Sequence, residues 1–140
     1  VDTYSQLINP QMIVPPHITQ LTGITTYDVS GKPTVKHAMK EFERWLGFET
    51  PFLAHNATFD LKFLDWATAE TWPNRPLFDH PFLDTLEMSR DIHPEIRNHK
   101  VADLIKRYHV ADVEQHRALS DAMQEQALYQ IMCKEYFLGA

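Results

Sequence analysis

Hydrophobic positions along the chain follow two periods, and each period predicts one kind of secondary structure. Helical spacing of apolar residues predicts helices over residues 35–46, 58–69, 85–92, 101–108 and 117–137. Short apolar or half-alternating runs predict strands over residues 3–8, 52–54 and 82–83. Pro15 and Pro16 predict an extended or turning connection, and Gly47 is expected to end the first long helix. Strands that alternate with helices favour a single α/β domain over residues 1–140.

Two acidic residues lie where the apolar face of a predicted helix should be. Asp60 falls within the apolar arc that contains Phe63 and Leu64. In the last predicted helix, Asp121 points the same way as Leu128, seven positions later. Ionised carboxylates at core-facing positions are costly unless they are paired or bind a metal ion. One such acid is consistent with a buried ion pair or a helix cap, whereas two of them, each beside a polar motif, favour a metal site.

Composition narrows the class of protein. Of the 140 residues, 44% are hydrophobic and 23% are charged, which is typical of a packed globular domain. The net charge of -6 argues against a protein that coats nucleic acid through a wide basic surface, but it allows an enzyme whose positive charge is bound metal. The single cysteine, Cys133, excludes an internal disulfide framework and a multi-thiolate site, and it fits a cytoplasmic location. No apolar run is long enough to predict a membrane span.

Each of the two acids closes a short motif rich in hydrogen-bonding residues. The first motif is His55-Asn56-Ala57-Thr58-Phe59-Asp60, and the second is His116-Arg117-Ala118-Leu119-Ser120-Asp121. Carboxylate oxygens are the ligands that Mg²⁺ and Mn²⁺ prefer. A histidine five residues before an aspartate suits a general base at the edge of a metal site, because the ordinary pKa of histidine is about 6.5.

With these two motifs the chain resembles the DnaQ-like DEDDh family of 3′–5′ exonucleases, in particular the proofreading exonuclease of bacterial DNA polymerase III. Other segments extend the resemblance over nearly the whole chain: residues 9–10, 21–25, 84–88 and 98–100. The segments occur in the order and at the separations of the family, which makes their combination far more specific than any single motif. The resemblance implies a three-layer α/β/α, ribonuclease-H-like fold with a mixed sheet.

The resemblance also implies a role for both acids and one histidine. Asp60 and Asp121 would be ligands of two divalent cations, Mg²⁺ or Mn²⁺, and His116 would be the general base that activates water. The products would be 5′-nucleoside monophosphates released from a single-stranded or frayed DNA 3′ end, most naturally in proofreading. A DNA polymerase subunit or domain is the expected partner, and no membrane is expected. An exoribonuclease of the same family stays open as an alternative, because stacking pockets accept any base.

The first motif of the family, an Asp-x-Glu on its first strand, is absent from these 140 residues. Half of the four metal-binding carboxylates are therefore missing, and we expect the first two strands of the family's sheet to be missing as well. On this interpretation the chain is an N-terminally truncated exonuclease domain and is inactive by itself. A non-catalytic fragment that binds a polymerase is the other alternative, although such a fragment would need none of Asp60, His116 and Asp121.

Several further residues are candidates for substrate contact. The resemblance implies that Thr22, Gly23 and Ile24 lie against the terminal nucleotide, where a glycine allows close approach of the backbone. An ordinary turn is the alternative interpretation of that segment. Asn56 is a candidate from the first motif. Phe59 is a candidate for packing against the base or sugar, although its place on the predicted helix favours the core.

The remaining expectations concern residues that support the site. His55 and Asn56 are expected to fix the loop before Asp60 through side-chain to backbone hydrogen bonds. Asp84 follows a predicted strand and precedes a predicted helix, so it is expected to cap that helix. Glu125 is expected to be exposed or salt-bridged rather than to assist a metal site. A local basic cluster predicts either a solvated face or a phosphate contact: Arg97, His99, Lys100, Lys106 and Arg107.

Overall fold

The computed structural model describes residues 2–75, 77–113 and 116–139. Contacts between residues divide the chain into two compact units. The first unit consists of Val1–Thr50 and Phe59–Pro81, and the second consists of Pro51–Thr58 and Phe82–Ala140. The expectation of one domain over residues 1–140 stays a prediction. Within the described ranges, no helix is both long and apolar enough to cross a membrane.

The described residues form seven α-helices and two short β-strands. The helices are α1 (Pro16–Thr22), α2 (Thr26–Ser30), α3 (Val35–Leu46), α4 (Ala57–Thr71), α5 (Thr85–Ile92), α6 (Val101–Arg107) and α7 (Ala118–Leu138). The strands are β1 (Phe52–Ala54) and β2 (Phe82–Asp84). They pair in parallel, with Phe52 opposite Phe82 and Ala54 opposite Asp84. A helix-rich chain with a small parallel sheet is consistent with the expected α/β class, whereas the three layers and the mixed sheet stay predictions.

Residues 3–8, which the sequence predicts as a strand, are not a strand in the structure. A short strand is stable only beside a hydrogen-bonding neighbour, and the sheet of the described residues contains β1 and β2 alone. Tyr4 instead packs its ring against Phe42 and Trp45 of α3, with centroid separations of 5.7 and 5.6 Å. The Tyr4 hydroxyl donates to the backbone carbonyl of Ala38 at 3.3 Å. The aromatic residue of this segment therefore packs on a helix and not in a sheet.

Prolines and glycines set the ends of two helices in the first unit. Pro15 and Pro16 begin α1, although the sequence suggests an extended connection there. Pro16 occupies the first helical position, where the N–H that proline lacks would have no partner inside the helix. Gly23 ends α1 with a φ of 72°. Gly47 ends α3 with a φ of 76°, which confirms the predicted end of that helix.

The first unit contains a buried ion pair. Glu43 of α3 is 6% exposed, and its carboxylate accepts two hydrogen bonds from the guanidinium of Arg75, one of them at 2.7 Å. The same guanidinium lies 5.1 Å from the ring centre of Trp72. The hydrogen bond to Glu43 raises the pKa of Arg75, so the guanidinium stays charged at every physiological pH. The buried apolar residues of this unit are Val29, Ala38, Met39, Ala67 and Phe78.

Arg75→Ala is expected to lower the free energy of unfolding by about 3 kcal/mol, because truncating one partner leaves a buried carboxylate without its counter-charge. Urea denaturation measures the loss. Arg75→Ala combined with Glu43→Gln should recover much of it, since no buried charge then remains. Arg44→Ala removes an exposed arginine from α3, the helix that carries Glu43, and serves as the control. An Arg75→Ala variant as stable as that control would show that water solvates Glu43.

The hydrophobic core of the second unit lies between α6 and α7. Its four most deeply buried residues are at most 1% exposed: Leu104, Ile105, Leu128 and Met132. Beside this core the Tyr108 hydroxyl donates to the Glu135 carboxylate at 2.6 Å, and Nε2 of His93 lies 3.1 Å from the same carboxylate. Burial, with a smaller contribution from Glu135, raises the pKa of Tyr108. The His93–Tyr108–Glu135 cluster thus joins the carboxyl-terminal ends of α5, α6 and α7.

Candidate active site

Asp121 lies in the first turn of α7. Its Oδ1 atom is buried, and no donor in the described part of the chain forms a hydrogen bond with it. Leu128 and Met132, which the sequence places on the same helix face, are fully buried. Ala118, Ala122 and Tyr136 of that face are exposed, so its expected inward direction is confirmed only around Leu128 and Met132. A buried oxygen without a hydrogen bond costs free energy, and a cation or a water molecule at Oδ1 would remove that cost. The donor type and its environment therefore fit a metal ligand.

Glu125 follows Asp121 by one turn of α7 and is only 9% exposed. Of the two expected environments, exposed or salt-bridged, the exposed one is therefore wrong, and the salt-bridged one stays a prediction. Its carboxylate accepts a hydrogen bond from the hydroxyl of Thr85, the first residue of α5, which is 1% exposed. The sequence of one helix does not show that a neighbouring helix presents a hydroxyl to this acid. The bond fixes the carboxylate of Glu125 next to the turn that carries Asp121.

Asp84 organises the edge of the sheet where both strands end. Its carboxylate accepts the backbone N–H of Leu86 at 2.9 Å, which confirms the predicted cap of α5. The same carboxylate accepts the backbone N–H groups of Asn56 and Ala57, each at 2.9 Å. This second role follows from the parallel register, because the loop after Ala54 lies beside the residue at the end of β2. The sequence does not predict this second role, because the residues next to Asp84 do not indicate the register in which the two strands pair.

His55 and Asn56 form the turn between β1 and α4. Asn56 has a φ of 62°, a conformation that asparagine adopts more readily than most residues. Its side-chain oxygen accepts the Thr58 hydroxyl at 3.2 Å, and Nδ1 of His55 lies 3.1 Å from the Thr85 hydroxyl. The carboxylate of Asp84, rather than the side chains of His55 and Asn56, holds the backbone N–H groups of this loop. Asp84 therefore fixes this loop in addition to the His55 side chain, which reaches the Thr85 hydroxyl and the His99 backbone.

The stability of the folded chain is expected to fall below pH 6.5 because of His55. Burial lowers the pKa of His55 from 6.5, against smaller opposing effects of the His99 backbone and Asp84. The unfolded chain therefore binds a proton at this histidine at a higher pH than the folded chain does. The contribution of His55 to stability is complete above pH 6.5 and decreases as the pH falls toward the lower pKa of the folded chain. Urea midpoints at pH 7.5 and 5.5 measure the loss. His55→Gln should reduce the difference between the two midpoints, whereas His109→Gln, at an exposed position, should leave it unchanged.

Asp60 lies in the first turn of α4 and is partly buried. The aromatic residues beside it do not form the expected core face. Phe59 and Phe63 are each 60% exposed, and their rings meet edge to face with centroids 5.2 Å apart. Periodicity shows that two aromatic residues share a helix face, but it does not show whether another element covers that face. The core interpretation of Phe59 is therefore wrong, and its ring is accessible to a ligand.

Thr22, Gly23 and Ile24 form the turn that ends α1. The left-handed conformation of Gly23 reverses the chain, and the Thr22 hydroxyl donates to the carbonyl of Ile18 at 2.8 Å. The backbone N–H of Ile24 in turn donates to the Thr22 hydroxyl oxygen at 3.1 Å. The geometry agrees with the interpretation of this segment as a turn. Contact of the three residues with a nucleotide stays a prediction.

His116 is exposed and lies two residues before α7, with a φ of 54°. Among residues other than glycine, histidine is one of those enriched in this conformation. The residues immediately before it, at positions 114 and 115, lie outside the described ranges. Because His116 is exposed, its imidazole is open to water just before the amino-terminal end of α7, the helix that carries Asp121. This placement suits a group that exchanges protons with water.

The predicted metal ligands lie in different units. Asp60 belongs to the first unit and Asp121 to the second. Their convergence on one two-ion site stays a prediction. Across residues 2–75, 77–113 and 116–139, no group of three or more histidine, cysteine, aspartate and glutamate side chains is arranged to hold a metal ion. The described residues thus provide individual carboxylates rather than a complete metal cluster.

Comparison with known proteins identifies the family. The family model RNase_T, described as exonuclease, matches residues 1–129. The chain belongs to this exonuclease family. Its resemblance to the DnaQ-like exonucleases and to bacterial DNA polymerase III is thereby confirmed, since the similar curated proteins are polymerases of that type.

Two curated relatives and one solved structure illustrate the similarity. The DNA polymerase III PolC-type of Bacillus cereus is 33% identical over 107 residues, which is 76% of this chain and 7% of the relative. That of Streptococcus agalactiae serotype III is 36% identical over 108 residues, which is 77% of this chain and again 7% of the relative. The chain therefore spans about 7% of the length of these relatives. The structure of exonuclease X in complex with 5′ overhanging duplex DNA shares the fold, with a TM-score of 0.68 at 22% identity over 100% of this chain and 76% of the other.

Proposed function

We propose that this chain is part of a metal-dependent 3′–5′ exonuclease that hydrolyses terminal phosphodiester bonds of DNA to 5′-nucleoside monophosphates in replicative proofreading. One observation carries the proposal: Oδ1 of Asp121 is buried without a hydrogen-bond donor among the described residues of an exonuclease-family chain. A carboxylate that binds substrate-activating cations needs an oxygen that no protein group already occupies.

Asp121 and Asp60 would hold the divalent cations, Mg²⁺ or Mn²⁺. The carboxylates of the family's first motif, an Asp-x-Glu on its first strand, would complete the ligand set. When bound, the cations would stabilise the charge on the attacking and leaving oxygens of the phosphodiester. The bond from Thr85 restrains Glu125 beside the first turn of α7, which favours a supporting role for Glu125 next to the site.

His116 would act as the general base. Its ring is exposed and stands at the amino-terminal end of α7, five residues before Asp121. A base in this position is open to the attacking water and accepts its proton, while Asp121 stays fixed by the helix. The positioning of the two groups on one short segment keeps the proton acceptor close to the metal ligand.

The substrate strand would be held by groups from the first unit and by the turn before α4. The exposed ring of Phe59, braced by Phe63, offers an aromatic surface on which a base or sugar can pack without regard to sequence. The turn at Thr22, Gly23 and Ile24 exposes backbone to the terminal nucleotide. Asn56 would contribute a polar side chain at the amino-terminal end of α4.

DNA and a polymerase are the proposed substrate and partner. The curated relatives are DNA polymerase III enzymes, and the solved neighbour was determined with duplex DNA. Both facts support a DNA substrate and a polymerase context. A chain that spans about 7% of these relatives would work as an exonuclease region attached to, or associated with, a polymerase.

The test measures nucleotide release from single-stranded DNA by the gene product that contains these 140 residues, with Mg²⁺ or Mn²⁺ and then with chelator. The 5′-labelled strand should shorten stepwise from its 3′ end, and chelator should stop the reaction. The 140-residue chain alone should release no nucleotide, because too few carboxylates are present.

Three outcomes would contradict the proposal. Shortening from the 5′ end would overturn the polarity, and degradation of RNA but not DNA would favour the exoribonuclease alternative. A gene product that binds a polymerase but releases no nucleotide under any metal condition would favour the non-catalytic fragment. Full activity of the 140-residue chain would show that other acids, such as Glu125, complete the metal site.

A further inference from the structure

The second unit contains a cavity of about 720 Å³ that none of the proposed catalytic groups line. The turn after β1, one side of α5 and the segment before α6 form its walls. Its polar lining consists of Arg90, Arg97, Lys100, His55, His99 and the side-chain amides of residues 56 and 98. The cavity thus brings together three cationic side chains from two separate segments of the chain.

The lining of this cavity is positively charged in a chain whose net charge is -6. Arg90, Arg97 and Lys100 line it, and no aspartate or glutamate does. All three side chains are exposed, and within the described ranges none of them lies within ion-pair distance of a carboxylate. The positive charge is therefore available to an anionic ligand rather than neutralised by the protein.

The structure also separates the basic cluster seen in the sequence into parts with different roles. Arg97 and Lys100 line the cavity together with Arg90, whereas Lys106 and Arg107 do not. Arg107 instead lies 3.8 Å from the carboxylate of Glu95. The phosphate-contact interpretation is consequently limited to Arg97 and Lys100. Arg90, which the sequence did not connect with them, joins these two residues in the cavity.

Hydrogen bonds fix the segment that carries these cations. Nδ1 of His99 lies 2.8 Å from the Ser89 hydroxyl, and its Nε2 lies 3.1 Å from the carbonyl of Ile96. Both ring nitrogens of His99 therefore have hydrogen-bond partners. The side-chain amide of Asn98 donates to Asp103 at 2.5 Å, and its oxygen accepts the backbone N–H of Lys100 at 3.3 Å. Arg97 and Lys100 are thus presented from an ordered loop, which reduces the entropy lost when a ligand binds.

We infer that this cavity binds backbone phosphates of the nucleic-acid substrate through Arg90, Arg97 and Lys100, beside Asn56 of the turn before α4. The inference rests on the proposed function. Guanidinium groups bind phosphate through paired hydrogen bonds, and an ammonium group adds a point charge. A site with three cations and no acid suits successive phosphates of a strand, because each phosphodiester carries one negative charge. Such contacts position the strand and carry no sequence information.

The test is the salt dependence of DNA binding by the gene product that contains this chain, measured by fluorescence anisotropy with chelator present. Arg97→Ala combined with Lys100→Ala should weaken binding of a labelled oligonucleotide about tenfold. The slope of log affinity against log salt should fall by about 2, or about 1 for each lost phosphate contact. Arg97→Lys combined with Lys100→Arg should keep the slope of the unmodified protein.

Lys106→Ala combined with Lys134→Ala is the matched control, since it removes the same charge from exposed positions of the same unit outside the cavity. This control should change the slope much less. Equal effects of the two double variants would overturn the inference, because they would indicate a general field rather than a site. Displacement of the oligonucleotide by equimolar inorganic phosphate would also overturn it, since a free anion would then be the ligand.

The outcome is distinguishable from a failure of the proposed function. If the protein releases nucleotides but the Arg97→Ala, Lys100→Ala variant keeps the salt slope of the unmodified protein, only the phosphate-binding role of the cavity is refuted. A reduced slope in a protein that releases no nucleotide would support the cavity and refute the exonuclease proposal. Urea midpoints of both double variants, expected to equal that of the unmodified protein, exclude loss of folding as the cause.

Discussion

Asp121→Asn should reduce the rate of nucleotide release by about 10³-fold or more. Metal ions contribute several kcal/mol of transition-state stabilisation in phosphodiester hydrolysis, and about 1.36 kcal/mol corresponds to a factor of ten. An amide in place of the carboxylate removes the charge that would attract the cation but keeps the size of the side chain. Single-turnover release of the 3′ nucleotide by the gene product that contains these 140 residues measures the effect.

The same substitution has a second readout that does not depend on activity. Without divalent cations, Asp121→Asn should be at least as stable as the unmodified protein, because Oδ1 is buried without a donor in the described structure. Added Mn²⁺ should then raise the unfolding temperature of the unmodified protein more than that of the variant. Asp112→Asn, at an exposed position, is the control and should respond like the unmodified protein. Equal stabilisation of all three proteins by Mn²⁺ would remove Asp121 from the metal site.

His116→Ala should lower the rate by about 10²- to 10⁴-fold, which is the usual contribution of a general base. The dissociation constant of Mn²⁺ should change little, because His116 is proposed as the base and not as a metal ligand. The loss should be largest near neutral pH and smaller at high pH, where hydroxide replaces the missing base. Rates measured from pH 6 to about 9 under single-turnover conditions provide the test.

His109→Ala is a close control for the histidine substitution. His109 is also exposed and has nearly the same backbone conformation, with a φ of 55° against 54° for His116. It lies outside both sequence motifs and should not affect the rate. Retention of full activity by His116→Ala across the pH range would show that another group accepts the proton.

The sequence predicted elements well where their ends are determined locally. The helix over residues 85–92 has the predicted bounds because Asp84 caps its first turn. The helix over residues 35–46 likewise ends at Gly47, whose conformation stops it. Glycine and a capping carboxylate act within a few residues of their own position, so a local pattern contains the information.

Predictions that depended on distant partners were less successful. Residues 3–8 have a strand-like pattern, but pairing is decided by a neighbour that the described residues do not supply. Phe59 shares an apolar face with Phe63, yet the pattern does not show whether another element covers that face. The wider role of Asp84 and the hydroxyl that Thr85 offers to Glu125 depend on strand register and helix contact. Spatial neighbours of this kind cannot be derived from spacing along one chain.

The His93–Tyr108–Glu135 cluster determines how far α7 can be shortened from its end. Glu135 contributes the carboxylate that Tyr108 and His93 share. Unwinding of α7 from its carboxyl-terminal end past Glu135 therefore requires loss of both contacts. The following residues, Tyr136, Phe137 and Leu138, are at least 59% exposed. Amide protons beyond Glu135 should therefore exchange through local fraying, whereas those before it exchange only with opening of the unit. Proteases that cut frayed backbone would accordingly trim the helix as far as Glu135 and leave the packed part of the second unit intact.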